Sequence, residues 1–419
     1  VTDIDGRRDH PSAPPPEDDV AGDATSPAAP ATSLAAVAAD ALHAGLQRVH
    51  LLAWRDLDDP EAGGSELHAH RIASLWADAG LDVTVRASAV AGGAPVIGRH
   101  GYRAIRKSGR YMVFPRSALS GLVARRGRPD GLVEVWNGMP FFSPLWARGT
   151  RMVFLHHVHA EMWGMTLPPV LARAGELIER RIAPPLYRHT PVVTLSESSR
   201  QEIVSMLRLP PQHVSVVPPG VDARFGPGPG RSATPMVLAV GRLVPVKRFP
   251  MLIDALVAAR REVPGLSAVI VGEGYARPEV EAAIRRAGAG AWIELAGARS
   301  DEELLSLYRR AWVLASASLR EGWGMTVTEA GACGTPAVVT RIAGHVDAVE
   351  HGVSGLLVDD AHGMATALVS VFGDRVRRER LRRGAEQRAA ALTWEATAAG
   401  TLQVLVDEHR RRRQPVSRA

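Results

Sequence analysis

The sequence predicts an α/β protein of two domains, each a doubly wound parallel sheet, facing one another across a central cleft. The first observation behind this is length: 419 residues exceed one ordinary core and suit two of about 150–200 residues each. The second is a repeating order of apolar strand, glycine loop, helix and strand, the unit of a right-handed crossover. The third is that this order restarts beyond the densest Pro/Gly stretch of the ordered chain, Pro218 to Gly230.

Composition narrows the class. With 46% hydrophobic and 22% charged residues the chain reads as globular rather than disordered. It has no run of 18 apolar residues, and its first residues lack a basic flank, an apolar stretch and a cleavage site, so a cytoplasmic protein is expected. The single cysteine, Cys333, cannot close an intramolecular disulfide, which fits a reducing compartment. A net charge of +6 admits nucleic acid, an anionic membrane surface or a polyanionic substrate. The excess in Arg375 to Arg388 and Arg410 to Arg413 reads as a solvated helical face or as a reversible contact with acidic lipid. No nucleic-acid recognition motif accompanies the charge, so no nucleic-acid partner is expected.

Residues 1–33, rich in Pro, Ala, Asp, Ser and Thr, are expected to be disordered. A helix from Leu34 to Leu46 leads to the strand Val49 to Trp54. The loop with Gly63-Gly64 then opens a helix, Ser65 to Ala79, closed by Gly80, and Leu81 to Val85 is the next strand. Further strands are predicted at Gly131 to Val135, Arg151 to Leu155, Val192 to Leu195 and Val214 to Val217. Helices are predicted at Ser117 to Arg125, Pro169 to Ile182 and Ser198 to Leu207. Past the linker come strands at Met236 to Val240, Ser267 to Val271, Ile293 to Leu295, Val313 to Ala315 and Ala337 to Thr340. Helices lie between them at Met251 to Arg261, Pro278 to Ala287, Asp301 to Arg310 and Met325 to Cys333, with final helices over about 362–409. The domains are thus 34–222 and 223–392, followed by a terminal helix with a basic tail, 393–419, expected to cross back to the first domain. Open parallel sheets bind ligands at their strand ends.

Four segments carry chemistry. In Glu321-Gly322-Trp323-Gly324-Met325-Thr326-Val327-Thr328-Glu329 two carboxylates flank a loop-to-helix junction. Gly322 and Gly324 allow a tight turn and close approach, and the free amides that follow suit an anion. Glu329 lies roughly 6 Å along the helix axis from Met325, so the two acids can bracket an extended ligand. The alternative is a dipole-complementing Glu329 and a surface Glu321. In Gly241-Arg242-Leu243-Val244-Pro245-Val246-Lys247 two cations at a strand exit suit a diphosphate, whose negative charge grows as a sugar–phosphate bond breaks. Solvated loop cations are the plainer account. Ala62-Gly63-Gly64-Ser65-Glu66 is a glycine turn opening a helix, but not the G-x-G-x-x-G of redox dinucleotide sites. His156-His157-Val158-His159 at a strand end admits a packed histidine, an active-site histidine or, without carboxylate or cysteine help at metal-like spacing, a zinc ligand.

The Glu321 to Glu329 run, with Gly334-Thr335-Pro336 after it, resembles the E-x7-E motif of the retaining family 4 glycosyltransferases, which have the GT-B fold. The segment from Gly241 to Lys247 resembles the same family's G-R-L-x-x-x-K clamp. The likeness covers about residues 48–400, and includes Pro218-Pro219-Gly220-Val221-Asp222, Gly272-Glu273-Gly274 and Gly297-Ala298-Arg299. It implies a transferase that moves a hexose from a nucleotide-diphosphate sugar to an acceptor glycan, lipid or small molecule with retention of configuration. Glu321 would contact the donor sugar and Glu329 the ribose, with Gly324 and Met325 between them. Arg242 and Lys247 would hold the diphosphate, Gly63 and Gly64 would approach it from the opposite wall, and Arg299 would lie beside the base. His156, with His157 as alternative, would lie near the reacting sugar. An Asp-x-Asp run, Asp3-Ile4-Asp5, falls in the N-terminal tail and is not taken as a metal site, and neither metal nor cofactor is expected. The runners-up are a phosphorylase or epimerase on the same scaffold and a silent sugar-nucleotide binder.

Overall fold

A computed structural model describes residues 33–123 and 128–414. The expected disorder of 1–33 lies outside these residues except at Ser33, as do the end of the helix predicted to reach Arg125 and the last residues of the basic tail.

The first sheet has eight strands: β1 (Arg48–Leu52), β2 (Asp82–Ser88), β3 (Val96–Arg99), β4 (Tyr102–Ser108), β5 (Gly131–Val135), β6 (Thr150–Phe154), β7 (Val192–Thr194) and β8 (Val214–Val216). Their order is β3-β4-β2-β1-β5-β6-β7-β8, and every pairing is parallel except β3 with β4. The second sheet has β9 (Met236–Val240), β10 (Ser267–Val271), β11 (Ile293–Gly297), β12 (Val313–Ser316), β13 (Ala337–Thr340) and β14 (Gly355–Val358). It runs β11-β10-β9-β12-β13-β14, all parallel, so the chain winds outward from β9 in both directions. That reversal between β9 and β12 is the switch point at which doubly wound sheets hold ligands.

Several elements depart from the expectation, among them the short helices Ser143–Trp146, Met162–Thr166 and His345–Ala348. The β3–β4 hairpin is unanticipated; it turns at His100-Gly101, both with positive φ (34° and 82°), as a two-residue hairpin requires. β14 was also missed. The helix expected over Pro169 to Ile182 ends at Leu177, passes through a π turn over Ile178–Ile182 and resumes as Ala183–Tyr187. Within the turn, buried Glu179 accepts from the amides of His159 and Ala160 and from the Trp163 indole, which ties the segment to the loop after β6.

The core of the first domain gathers β1, β2, β5 and β6 around the helices Leu34–His43 and Gly64–Asp78. The C-terminal helix, Trp394–Arg413, completes it. Ala398, Leu402, Leu405 and Val406 pack into this core, the Trp76 indole donates to the Ala398 carbonyl at 2.9 Å, and His409 bonds Thr150 at 2.7 Å. The chain therefore passes between domains twice, at about 218–222 and 390–394. The two crossings lie side by side: Val221 N donates to Leu392 O at 3.0 Å, and Gly220 sits so close that a Cβ would fall 2.2 Å from Trp394 N. The core of the second domain surrounds Leu252, Ile253, Ile270, Val313 and Leu368.

Candidate active site

The loops that leave the C-terminal ends of the strands in one sheet meet those of the other. After β1, the helix Gly64–Asp78 starts at Gly63, and a Cβ on Gly63 would lie 3.3 Å from Nε of Arg242, which follows β9. Arg242 Nη1 also donates to the Glu61 carbonyl at 3.2 Å. A Cβ on Gly64 would lie 3.7 Å from Sδ of Met325, the first residue of the helix Met325–Ala332. Two helix N-termini, one from each domain, thus converge beside Arg242, and their partial positive charge adds to that of the guanidinium. The amide of Gly63 is already taken by Glu66, at 2.8 Å.

Lys247 stands at the end of a short 3-10 turn, Pro245–Lys247. Its ammonium donates to Glu321 Oε1 at 2.5 Å, and the Ser318 hydroxyl donates to the same oxygen at 2.7 Å. Burial acts to raise the Glu321 pKa, but the Lys247 charge, the nearby His345 and the two donated bonds prevail and hold it below the usual carboxylate range. Glu321 is therefore ionised at neutral pH. Arg248, next to Lys247, caps the end of β12 by donating to the carbonyls of Ala317 (2.7 Å) and Ser318 (3.1 Å), which fixes the loop that carries Glu321.

Gly322 is needed because the loop touches the other wall: a Cβ there would lie 2.6 Å from the His156 carbonyl. Gly324, the N-cap, has φ +97°, a conformation that costs a non-glycine residue about 1–2 kcal/mol. Glu329, one turn into the helix, accepts from the Tyr308 hydroxyl at 2.8 Å. Burial pushes its carboxyl above the ordinary range, against the opposing effect of that hydrogen bond. The two glutamates thus occupy different electrostatic environments 8 positions apart.

His156 is turned away from the facing domain. Its ring lies in the first domain, 5% exposed, with Nε2 3.2 Å from His68 Nδ1, and burial lowers its pKa to about 4. The part of His156 that meets Gly322 is main chain and Cβ. His157 instead stacks on His159, with ring centroids 5.2 Å apart. Arg299 is held by acids of its own surroundings, Glu294 at 3.4 Å and Glu303 at 3.9 Å, and no contact described for it reaches Lys247 or Glu321.

Several residues of this region were not anticipated. Tyr308 and Ser318 bond the two glutamates. Arg320 joins the walls by pairing with Glu161 (3.0 Å) and Glu202 (2.6 Å) of the first domain. Ser198 bonds Asp347 and receives the Gly344 amide at 2.8 Å. A polar residue flanking a motif was the available signal for Ser318 and Arg320; Tyr308 lies 21 residues before its partner and had none.

Two doubly wound parallel sheets with cations, helix N-termini and an ionised glutamate at their facing ends define a two-domain α/β protein with a charged cleft. Comparison with known proteins makes this specific. Residues 62–225 match the model of Glycosyltransferase Family 4 and residues 228–388 that of Glycosyl transferases group 1, so the two models together take in most of the chain. The chain belongs to the family 4-like GT-B glycosyltransferases. The D-inositol 3-phosphate glycosyltransferase of Salinispora tropica is 34% identical over 254 residues, which are 53% of this chain and 52% of that protein. The chain thus spans about half of that relative. It spans more of the protein of the same name from Thermobispora bispora, 27% identical over 84% of this chain and 92% of the relative. Among solved structures, sucrose-phosphate synthase from Thermosynechococcus elongatus superposes with a TM-score of 0.72 at 20% identity, over 85% of this chain and 98% of that one. HepE of Anabaena, solved with UDP and glucose, gives 0.66 at 18%, over 87% and 100%. These superpositions establish the shared fold.

Proposed function

We propose that the protein transfers a hexose from a nucleotide-diphosphate sugar to an acceptor hydroxyl with retention of anomeric configuration and without a metal ion. What supports this reading is Arg242 lodged beside Gly63 at the start of one helix, with Lys247 against Gly241 and bonded to Glu321 in the loop that leads to the other. Such a set stabilises a departing diphosphate more strongly as its charge develops, which is the role a divalent cation plays elsewhere. In this reading Arg242 and Lys247 grip the diphosphate and Lys247 also keeps Glu321 ionised. Glu321 accepts from hydroxyls of the donor sugar, and Glu329, one oxygen of which is bonded to Tyr308, accepts from the ribose. Gly63 and Gly64 let the first domain's backbone close on the phosphates, and the neutral His156–His68 pair shapes the acceptor side. The acceptor enters from the first domain, and Arg320 with its two glutamates draws the walls together to exclude water. The lone buried thiol of Cys333 fits work in a reducing compartment, the cytoplasm.

The ligands in the HepE structures make UDP the first nucleotide and UDP-glucose the first donor to try, and the names of the sequence relatives make an inositol phosphate the first acceptor. The test is a thermal-shift screen of UDP, GDP, ADP and their sugars, followed by transfer assays with EDTA and assignment of the product anomer. A nucleotide at 100 times its dissociation constant adds about 2.7 kcal/mol of stability and raises the melting temperature clearly. A flat response to every nucleotide would refute the donor assignment, and inversion or loss of transfer in EDTA would refute the corresponding part of the mechanism.

A further inference from the structure

The first domain carries an apolar surface that no element among the described residues covers. A surface helix ordinarily turns its polar side chains outward. On the helix Val113–Val123 the outward side chains include Leu119 (61% exposed), Leu122 (55%) and Val123 (66%), with Arg116 among them. This helix packs against Ser143–Trp146, closely enough that a Cβ on Gly121 would fall 2.3 Å from the Trp146 ring. Ser143–Trp146 exposes Leu145 and packs in turn against Ala183–Tyr187, the continuation of Pro169–Leu177 through the π turn. That last segment exposes Val170, Leu177 and Ile182. The apolar side chains therefore lie on elements joined in series, from Val113–Val123 through Ser143–Trp146 to Ala183–Tyr187 and the helix that precedes it, rather than scattered singly.

The exposed charges on and beside these elements are predominantly positive. Exposed arginines stand at 116, 148, 173, 180, 181 and 188. Among the described residues of the same helices and turn there are two carboxylates: Glu179, which is buried, and Glu176, which pairs with Arg180 at 2.9 Å. The arginine-rich helices at the other end of the chain differ. There Arg382 and Arg383 pair with Glu379, Arg411 and Arg412 with Glu408, and Arg410 with Asp40, so much of their charge is spent within the fold.

We propose that this face, formed by Val113–Val123, Ser143–Trp146 and Pro169–Tyr187, docks the protein on an anionic lipid bilayer. Leu119, Leu122, Leu145 and Leu177 enter the boundary between headgroups and acyl chains, and the arginines meet lipid phosphates with their stems lying along the apolar surface. A second copy of the chain is a poor occupant, because a two-fold contact would set this cationic face against itself. The inference is independent of the donor and the reaction proposed above.

The test is co-sedimentation of the full chain with phosphatidylcholine vesicles, with and without one-third phosphatidylglycerol, at low and high salt. Binding is expected to the anionic vesicles only and to be released by salt. The pair Arg173→Ser and Arg181→Ser should weaken it about thirtyfold, since each surface arginine contributes about a factor of five. The pair Leu119→Ser and Leu122→Ser should weaken it at least tenfold with an unchanged melting temperature. Arg380→Ser with Arg383→Ser, on the C-terminal side, should leave it unaltered. The proposal is overturned by absence of binding to anionic vesicles, by binding that both patch variants retain, by binding lost only in the C-terminal variant, or by a dimer in sedimentation velocity that Leu122→Ser dissociates.

Discussion

The two domains share one winding pattern but place their unusual residues differently. The first domain buries histidine: His50, His70, His156 and His159 are each driven down to about 4, with burial as the largest cause, and His68 and His157 are lowered well below the ordinary value in the same way. It also holds thirteen of the large apolar side chains that remain exposed among the described residues, against four in the second domain; its outer face is thus the more adapted to contact. The second domain instead holds the ionic apparatus, with Lys247, Glu321 and Ser318 bonded together and Glu329 set apart on Tyr308. The difference teaches that one scaffold can divide its labour: the second domain supplies the bonded set of Lys247, Glu321 and Ser318, and the first a group of desolvated, neutral histidines beside its own ion pairs.

Three experiments can break or sharpen that contrast. The largest effect is expected on the charged side. Lys247→Ala removes a donor aimed at the leaving diphosphate and the partner that keeps Glu321 ionised, so turnover should fall about 10²- to 10³-fold; unchanged kcat in a steady-state assay would end the clamp model. Next comes the contact between walls. Gly322→Ala inserts a methyl 2.6 Å from the His156 carbonyl, and overpacking of this kind costs about 1–3 kcal/mol. A fall in kcat/KM of roughly tenfold, with a larger radius of gyration by small-angle scattering, is expected; full activity with unchanged dimensions would show that the walls need not meet.

The smallest effect, and the one that isolates the first domain, is in pH. A histidine at about 4 in the folded state and about 6.5 in the unfolded state takes up its proton first when unfolded, so stability is complete above about pH 6.5 and declines as pH falls toward 4. One kcal/mol displaces the melting temperature of a domain this size by about 2–4 °C. The melting temperature should therefore drop by at least about 4 °C between pH 7 and 5, and amide exchange should accelerate first in the β1 and β6 regions. A flat profile, or exchange that starts in the second domain, would contradict the contrast.

Most of the fold was legible because buried parallel strands are near-continuous apolar runs, as in Met236-Val237-Leu238-Ala239-Val240, and glycine loops mark their exits. The β3–β4 hairpin was not, since Val96–Arg99 is short and half-exposed and its turn begins with histidine rather than the usual Asn or Asp. The break in Pro169–Tyr187 escaped because helical periodicity continues through a π turn. At the site, Arg242, Lys247, Glu321 and Glu329 could be singled out because each lies in a short motif next to a strand end or helix start, and the likeness of those motifs to the family's weighed against the plainer reading of solvated charges.

What the sequence by itself determined was local: which segments are strands and helices, where the chain divides, and which charged residues stand at the strand exits, all set by apolar periodicity and by glycine and proline conformation over a few residues. Only the tertiary structure decided that Gly63 faces Arg242, that Gly322 meets His156, that Arg320 joins the two walls and that the His156 ring turns back onto His68. Those pairings join residues separated by 88 to 179 positions. They follow from how two sheets and the returning C-terminal helix pack, a global balance of burial against chain entropy that no local window contains.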